Sequence, residues 1–381
     1  MTTPIYLDYN ATTPTDSRVV SAMLPFFERY FGNPAATTHR FGWKAASVVD
    51  EARDRIAGLI GAESHEIVFT SGATEANNLI FNAVAAETPR AHVVTTTIEH
   101  ESVLQACRFL ERSGFEVTYL PVRPDGIVSL ADLEAVLRPE TALISVMAAN
   151  NEIGTLQPIA EIGAAARSRA IPFHTDATQS VGKIPVDVTD WNADYLTFSG
   201  HKLYGPKGIG AVYAKDDTIL RGHPLIRGGN QERGIRSGTL NTPGIVGLAE
   251  ACDICAAEQE EESLRLTGLR KVLWSRLKAE IEGIELNGHP ERRLPGDLNF
   301  FVPGVDSVDL LRATSARLAM STGSACTSEL QRQSHVLTAI GRSQAQIQSS
   351  IRLSLGRPTS STDVMSTADF LIDVIRRFRV G

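Results

Sequence analysis

A lysine with unusual surroundings, Lys202, lies in the segment Phe198–Pro206. It closely follows an apolar run and precedes a Gly-Pro turn, with Ser199 and His201 beside it as possible phosphate donors. A lysine that is held in place and partly desolvated is nucleophilic and can form a Schiff base. The alternative is a surface lysine on a loop, which this motif by itself does not exclude.

A second polar residue, Asp176, comes at the end of the apolar run that begins at Phe173. Burying a lone carboxylate is costly, so Asp176 needs a cationic or N–H partner. A protonated pyridine nitrogen would serve, and an Asp facing that nitrogen keeps pyridoxal 5′-phosphate (PLP) an electron sink. The alternative is an Asp that caps the next helix or pairs with an Arg.

A phosphate site is predicted at Thr70–Glu75, where small residues follow a predicted strand and a helix opens with Thr74 as its N-cap. Free N–H groups and the helix dipole at such a position favour an anion. The alternative is a capped helix start without a ligand.

Cys326 and the pair Cys252 and Cys255 invite a chemical interpretation. Cys326 lies in the Gly/Ser-rich segment Met320–Ser328, where few apolar neighbours are available to bury it. An accessible thiol on such a loop is better interpreted as a nucleophile than as a core residue. Cys252 and Cys255 form a C-x-x-C, but no further ligands at similar spacing are evident, so helix packing is favoured over metal or redox chemistry.

Short apolar runs alternate with helical patterns along most of the chain. Strands are predicted at Glu66–Thr70, His92–Thr97, Glu116–Val122, Leu143–Met147, Pro172–Thr175, Tyr195–Ser199 and Gly210–Ala214. Helices are predicted at Ala45–Ile60, Glu75–Ala86, Glu101–Arg112, Leu130–Val136 and Ile159–Ala170. This alternation predicts an α/β fold with a mostly parallel sheet, whose ligands bind at the carboxyl ends of the strands.

A long helical stretch from about Gly244 to Gly283 is interpreted as a bridge to a second domain. The rest of the chain contains shorter strands, Leu298–Val302 and Ile351–Leu355, and a closing helix, Asp363–Phe378.

The composition is that of an ordinary globular protein. Apolar residues make up 43% and charged residues 21% of the 381 residues, and the net charge is −7. No direct nucleic-acid binding and no membrane span are expected. Four cysteines and no signal-peptide pattern predict a cytoplasmic protein.

Taken together, eight segments resemble class I cysteine desulfurases, which belong to the class-V aminotransferase family of fold-type I PLP enzymes. The segments are Leu7–Pro14, Phe31–Pro34, Gly72–Glu75, Asn150–Gly154, Asp176–Gln179, Ser199–Lys202, Arg236–Thr239 and Gly323–Ser328. The Cys326 segment discriminates, since it resembles the class I loop rather than the motif of class II desulfurases and selenocysteine lyases.

The resemblance implies a large PLP-binding domain, residues 15–255, with a mostly parallel seven-stranded sheet. It implies a smaller α/β C-terminal domain, formed by residues 1–14 and 256–381, that carries the cysteine loop. A homodimer is also implied. The sequence itself gives one hint of it, because Arg236–Thr239 is far along the chain from Gly72–Glu75.

The resemblance implies these cofactor roles. Lys202 carries PLP, His100 stacks on the ring and serves in proton transfer, and Asp176 pairs with the ring nitrogen. Gln179 and Asn151 hydrogen-bond the phenolic oxygen. The phosphate is held by Ala73, Thr74, Ser199 and His201, with Thr239 reaching across from the second subunit.

For the substrate, the resemblance implies that Arg352 binds the carboxylate of L-cysteine and that Asn33 contacts it. Lys202 takes the Cα proton, and Cys326 accepts sulfur as a persulfide for an acceptor protein. An iron–sulfur scaffold, tRNA thiolation and DNA phosphorothioation all remain open as destinations of the sulfur. Rival functions are an aminotransferase, a selenocysteine lyase and a non-catalytic sulfur-relay subunit, and an intact Cys326 and Lys202 argue against them.

Overall fold

The computed structural model describes residues 4–88, 91–322 and 333–380. In chain order its strands are β1 (Ile5–Tyr6), β2 (Ile67–Thr70), β3 (His92–Thr96), β4 (Glu116–Leu120), β5 (Thr141–Ser145), β6 (Phe173–Asp176), β7 (Tyr195–Ser199), β8 (Gly210–Ala214), β9 (Glu285–Leu286), β10 (Asp297–Phe301), β11 (Leu318–Ala319) and β12 (Ser350–Ser354).

The helices surround these strands. They are α1 (Ser17–Met23), α2 (Pro25–Glu28), α3 (Arg40–Leu59), α4 (Ala73–Glu87), α5 (Glu101–Arg112), α6 (Leu130–Val136), α7 (Ile159–Ser168), α8 (Thr218–Gly222), α9 (Thr242–Glu280), α10 (Ser307–Thr314), α11 (His335–Ala339), α12 (Gln344–Gln348) and α13 (Ser361–Val380). Short 3₁₀ turns lie at Ser64–Glu66, Gly200–Lys202 and Glu232–Gly234.

The central sheet has seven strands in the order β2-β8-β7-β6-β5-β3-β4. Only β8 runs antiparallel to its neighbours β2 and β7, while the pairs from β7 to β4 are parallel. The prediction of a mostly parallel seven-stranded sheet is confirmed. Strands β6 and β7 therefore end at the same edge of the sheet, at Asp176 and Ser199.

Helices cover both faces of this sheet, and its strands are almost fully buried except for the edge strand β4. Helices α3, α7 and part of α9 contribute to one large apolar cluster, and α4 and α5 contribute to another. Helix α3 starts five residues before the predicted Ala45. The reason is that His39 caps it by accepting a hydrogen bond from the Gly42 N–H, a cap outside the usual Ser, Thr, Asp and Asn set.

A second, separate core lies in the C-terminal part of the chain. Strand β10 pairs antiparallel with β12 and β9, and this small sheet packs with α10, α13 and the far half of α9. Leu7, next to β1, belongs to this core, and β1 pairs with β11. This packing accords with the domain limits 15–255 and 1–14 with 256–381, which stay a prediction.

Cys252 and Cys255 lie side by side on the buried face of α9 and are both free. Burial raises the pKa of the Cys255 thiol to about 11, so it is protonated at neutral pH. Among the described residues, no group of His, Cys, Asp and Glu side chains is arranged to hold a metal ion. The burial of both cysteines on α9 confirms the helix-packing interpretation of the C-x-x-C.

Candidate active site

A cavity of about 470 Å³ lies at the edge where β6 and β7 end. Its lining includes nine of the ten predicted cofactor residues together with Arg352. The nine are Ala73, Thr74, His100, Asn151, Asp176, Gln179, Ser199, His201 and Lys202. The structure thus brings together side chains that are up to 279 positions apart in the sequence, from Ala73 to Arg352.

The predicted phosphate turn opens α4, but its cap differs from the prediction. Gly72, with φ 151°, is the N-cap, and Thr74 is already the second helical residue. Glycine is required here because a Cβ on Gly72 would lie 3.3 Å from Ser199 Oγ in a backbone region that L residues rarely adopt. The backbone N–H groups of Ala73 and Thr74 have no partner within the helix, since the first turn leaves them free for an anion.

The charge around this turn also suits an anion. The pKa of His201 is lowered to about 4, first by burial and then by the positive charges of Lys202, Lys207 and Lys183. The three lysine charges that contribute to this shift make the local potential positive, which a phosphate would offset. The His201 ring is held by a 3.1 Å hydrogen bond between its Nδ1 and Thr12 Oγ1.

Asp176 lies at the far end of β6 and is only 4% exposed. Its carboxylate accepts hydrogen bonds from the Asn77 amide at 2.9 Å and from the Thr178 backbone N–H at 3.0 Å. Asn77 in turn donates to Ser102 and accepts from Thr197, so its orientation is fixed. Both donors to Asp176 are neutral, and a cation in the cavity would further stabilise the buried carboxylate.

His100 is the N-cap of α5, and its side chain forms the cap. Its Nδ1 accepts the Ser102 backbone N–H at 3.1 Å and lies 2.8 Å from Ser102 Oγ. Because Nδ1 is an acceptor, the proton of the neutral ring is on Nε2. This arrangement fixes the ring at the cavity wall, with Nε2–H as its donor.

Lys202 is the last residue of the 3₁₀ turn directly after β7. Its Nζ donates to the backbone carbonyls of Asn10 at 2.6 Å and Ala11 at 2.7 Å. These carbonyls belong to the Leu7–Pro14 segment. The position agrees with the predicted attachment point, and the surface-lysine alternative is wrong, since Lys202 lines the cavity.

Arg352 is in the middle of β12 and is 1% exposed. Its guanidinium donates to the Asn151 carbonyl at 2.8 Å and to Asp8 Oδ1 at 2.6 Å. The Asp8 carboxylate offsets part of the charge that burial would otherwise disfavour. An anchored, buried Arg at a cavity wall is well suited to bind a carboxylate.

Two predicted residues, Asn33 and Thr239, are not part of this lining. Within the described residues, Asn33 is exposed and accepts a hydrogen bond from the Ala35 N–H, away from the cavity. Thr239 is also exposed and lines a neighbouring cavity of about 190 Å³ with Ser71 and Gly208. Cys326 lies outside the described residues. The roles of all three stay predictions.

The distance in sequence between Arg236–Thr239 and the phosphate turn does not indicate a second subunit. Arg236 Nε lies 2.8 Å from Glu75 Oε1 of the same chain. Folding of a single chain brings these segments together. Their separation in the sequence was therefore wrongly taken as a hint of a dimer.

Sequence reasoning missed several residues around the cavity, among them Asn10, Asn77, Thr178 and Glu99. Asn77 had a usable signal, because it shares the buried face of α4 with Ala76 and Ile80. An amide on such a face requires a buried polar partner. Asn10 and Thr178 lay within quoted segments, but nothing in their residue type distinguished them from their neighbours.

Glu99 is completely buried next to His100. Its Oε1 accepts hydrogen bonds from Thr96 Oγ1 at 2.8 Å and the Met147 N–H at 2.9 Å. Burial nevertheless raises the pKa of Glu99 to about 8, and the negative charge of Asp176 contributes in the same direction. Glu99 is therefore mostly protonated at neutral pH.

This raised pKa predicts a pH-dependent loss of stability. The pKa of Glu99 is about 4.3 in the unfolded chain and about 8 in the folded protein. At pH values between these two, the folded protein holds the Glu99 proton and the unfolded chain does not, so stability falls as pH rises. In Glu99→Gln that contribution is absent. From pH 5 to pH 8.5 the unfolding free energy of the unsubstituted protein should fall by about 3–4 kcal/mol more than that of the variant.

Urea denaturation at both pH values measures this difference. Glu134→Gln, at an exposed position of α6, is the matched control and should follow the unsubstituted protein. Parallel pH dependences for the unsubstituted protein and Glu99→Gln would contradict the assignment of a protonated Glu99.

The family of the chain identifies the cofactor of this site. The model of the aminotransferase class-V family matches residues 5–366. The chain belongs to the class-V aminotransferase family. Its predicted family and fold are confirmed, and the cofactor of this family is PLP.

Similar class-V proteins are cysteine desulfurases. A protein of Arthroderma benhamiae named cysteine desulfurase, mitochondrial, is 50% identical over 377 residues, which cover 98% of this chain and 74% of the relative. A solved NifS-like protein superposes with a TM-score of 0.91 at 36% identity, covering 98% of this chain and all of the other. A solved structure described as SspA in complex with cysteine has a TM-score of 0.80 at 41% identity, covering 92% and 98% of the two chains.

The residues of this class-V chain fit PLP. The buried Asp176 has only neutral donors in the hydrogen bonds described above, as a partner of a protonated ring nitrogen requires. Thr178 Oγ1 is buried at the cavity without a hydrogen-bond partner among the described residues. The glycine turn at Gly72, the lysine charges around His201 and the amine of Lys202 complete a site for a phosphorylated aldehyde.

Proposed function

We propose that this chain is a PLP-dependent cysteine desulfurase that converts L-cysteine to L-alanine and forms a persulfide on Cys326. The observation that carries the proposal is the single cavity in which Lys202, Asp176 and Arg352 meet. An attachment amine, a ring-nitrogen partner and a carboxylate-binding Arg are the groups that an amino-acid reaction on PLP requires. The cysteine desulfurase relatives narrow the amino acid to cysteine.

Binding and orientation of the substrate are assigned to Arg352. Its donors to Asn151 and Asp8 hold the guanidinium still, so little side-chain freedom is lost when a carboxylate binds. A fixed carboxylate defines which bond to Cα is placed for reaction.

Proton transfer is assigned to Lys202 and His100. When bound, PLP takes up the electron pair released at the substrate Cα. The Lys202 amine is the base that removes the Cα proton, and the Asn10 and Ala11 carbonyls orient that amine. The fixed Nε2–H of His100 is a donor at the cavity wall.

Sulfur transfer is assigned to Cys326. Its thiolate attacks the substrate sulfur, an S–S bond forms and the C–S bond breaks. The bonding pair of the C–S bond stays with the substrate carbon, which takes up a proton and becomes the methyl group of alanine. Cys326 then holds the sulfur for an acceptor protein, such as an iron–sulfur scaffold or another thiolation partner.

A homodimer is supported by an aromatic patch formed by Phe27, Tyr30, Phe31, Phe41 and Trp43. These side chains are 44–66% exposed, and the rings of Phe31 and Phe41 lie 5.5 Å apart. Exposed apolar patches of this kind mark interaction sites. A second copy of the chain is the proposed occupant of this patch. Asn33 and Thr239 lie outside the cavity of their own chain, and in a dimer they would reach the cavity of the partner chain.

We expect sedimentation equilibrium to give the mass of two chains. Phe31→Asp places a charge in the aromatic patch and should weaken the dimer at least about tenfold, because burying an unpaired charge is costly. Phe109→Asp, at a 51% exposed position of α5, is the control and should remain dimeric. A monomeric unsubstituted protein would contradict the proposal.

A cytoplasmic location is proposed from the free cysteines. Cys107, Cys252 and Cys255 are unpaired thiols, as a reducing compartment allows. In the described part of the chain, no helix has the length and apolarity needed to cross a membrane. Cell fractionation with an antibody to the protein tests the location, and recovery from an organelle would contradict it.

The function is tested with the purified, PLP-loaded protein and L-cysteine. A change in the visible absorption band, with alanine formed in step with sulfide under reductant, is the expected result. Parallel reactions with selenocysteine and with an amino acid plus a keto acid separate the desulfurase from a selenocysteine lyase and an aminotransferase. A coloured protein that releases no alanine would overturn the substrate, and a protein that does not bind PLP would overturn the proposal.

A further inference from the structure

The side-chain amide of Gln179, at the cavity wall, is held at both of its ends. Its Oε1 accepts a 2.6 Å hydrogen bond from Lys183 Nζ, and its Nε2 donates to the Asn10 carbonyl at 2.9 Å. The same carbonyl accepts from Lys202 Nζ. An amide nitrogen carries two N–H donors, so one donor of Gln179 is used by Asn10 and the other is left for the cavity that Gln179 lines.

Lys183 determines the orientation of the Gln179 side-chain amide. It lies behind Gln179, four positions further along the chain, and its Nζ is also 3.4 Å from Asn10 Oδ1. The Lys183 ammonium can donate to the amide oxygen of Gln179. It offers no acceptor to an amide N–H2 group that faced it. The contact therefore holds Oε1 toward Lys183 and the N–H2 group toward the cavity.

Asn10 connects this pair to a second buried charge. Its side-chain amide donates to Asp297, a carboxyl that is 1% exposed and lies in β10. Burial raises the pKa of Asp297 to about 6, and the nearby Arg293 lowers it. Asn10 is thus held through its side chain by Lys183 and Asp297, while its backbone carbonyl orients Gln179 and Lys202.

The charges that face Lys183 come from several elements: Lys202 and Arg352 are positive, and Asp297 and Glu262 are negative. Burial, followed by Lys202, lowers the pKa of Lys183 to about 7. Both the charged and the neutral amine retain N–H donors, so the contact to Oε1 is available in either form.

We propose that Lys183 is a positioning residue that fixes the Gln179 amide so that its second N–H faces the phenolic oxygen of the bound cofactor. The inference rests on the proposed role of Gln179 in PLP binding. A fixed donor favours the deprotonated phenolic oxygen and lowers the pH at which the cofactor takes up a proton. Without Lys183 the amide is free to turn, and that preference weakens.

The test is a pH titration of the visible absorption band of the PLP-loaded protein. Lys183→Met should raise the midpoint by about one pH unit, the shift that a lost hydrogen bond to a charged group produces. Gln179→Met should raise it by itself, and Lys183→Met should add no further rise in that background. Lys215→Met, at an exposed position, is the control and should leave the midpoint unchanged.

A second variant covers the case in which Lys183→Met does not fold. Lys183→Ala opens the position to the adjoining cavity of about 30 Å³ and should raise the midpoint in the same direction. An unchanged midpoint in a folded Lys183 variant, or an equal rise with and without Gln179, would overturn the inference. An unsubstituted protein without the absorption band would instead contradict the proposed function.

Discussion

Replacing Lys202 by alanine is expected to leave a folded protein that no longer attaches PLP covalently and no longer forms alanine from cysteine. Lys202 Nζ is held between the Asn10 and Ala11 carbonyls at the cavity wall, where its amine serves both as attachment point and as base. Loss of a positioned base lowers rates by about 10²–10⁴-fold, and loss of the attachment amine adds to that. Alanine formation should therefore fall by more than about 10³-fold.

Borohydride reduction followed by mass spectrometry measures the attachment directly. The unsubstituted protein should gain the mass of one reduced cofactor on the peptide that contains Lys202, and Lys202→Ala should gain none. Lys215→Ala, an exposed lysine, is the matched control and should behave as the unsubstituted protein does. Cofactor trapped on another lysine of the unsubstituted protein, or full turnover by Lys202→Ala, would refute the assignment.

The strand ends were the part of the site that sequence could predict. Asp176 and Ser199 each follow an apolar run, and parallel strands present such residues at one edge of the sheet. The turn before α4 was also predicted, because small residues between a strand and a helix mark a tight turn, although its cap was placed at Thr74 and not at Gly72. Periodicity and residue type determine these features locally, so no knowledge of tertiary packing was needed.

The polar groups behind the cavity could not be predicted in this way. Asn10 and Asp297 are 287 positions apart, and Lys183 meets Asn10 only in the folded chain. A buried Lys or Asp looks like a surface charge in the sequence, since nothing local reveals its burial. The same limit explains why the Arg236–Glu75 ion pair was misread as a hint of a second subunit.

Helix starts show the same division between local and tertiary signals. The N-caps of α3 and α5 are His39 and His100, which cap through Nδ1. Histidine is not among the favoured cap residues, so α3 was predicted to begin five residues late. At α5 the capping ring is also the ring proposed to contact the cofactor, and the helix therefore fixes an active-site side chain.

Replacing Cys326 by serine is expected to abolish persulfide formation while PLP stays bound and its absorption band stays in place. Sulfur transfer needs a thiolate, and a serine hydroxyl is neither ionised near neutral pH nor able to form the S–S bond. Alanine formation should fall by more than about 100-fold, equivalent to about 2.7 kcal/mol of transition-state stabilisation. Covalent attachment at Lys202 should be unaffected, which separates this loss from that of Lys202→Ala.

Mass spectrometry of the protein after one turnover gives the decisive measurement. The unsubstituted protein should gain the mass of one sulfur atom on the peptide that contains Cys326, and Cys326→Ser should gain none. Cys107→Ser is the control, because Cys107 is buried and burial holds the pKa of its thiol far above the usual value, which leaves it unreactive. A persulfide on Cys107, Cys252 or Cys255, or alanine formed by Cys326→Ser at the unsubstituted rate, would show that the sulfur leaves cysteine by a route that does not involve Cys326.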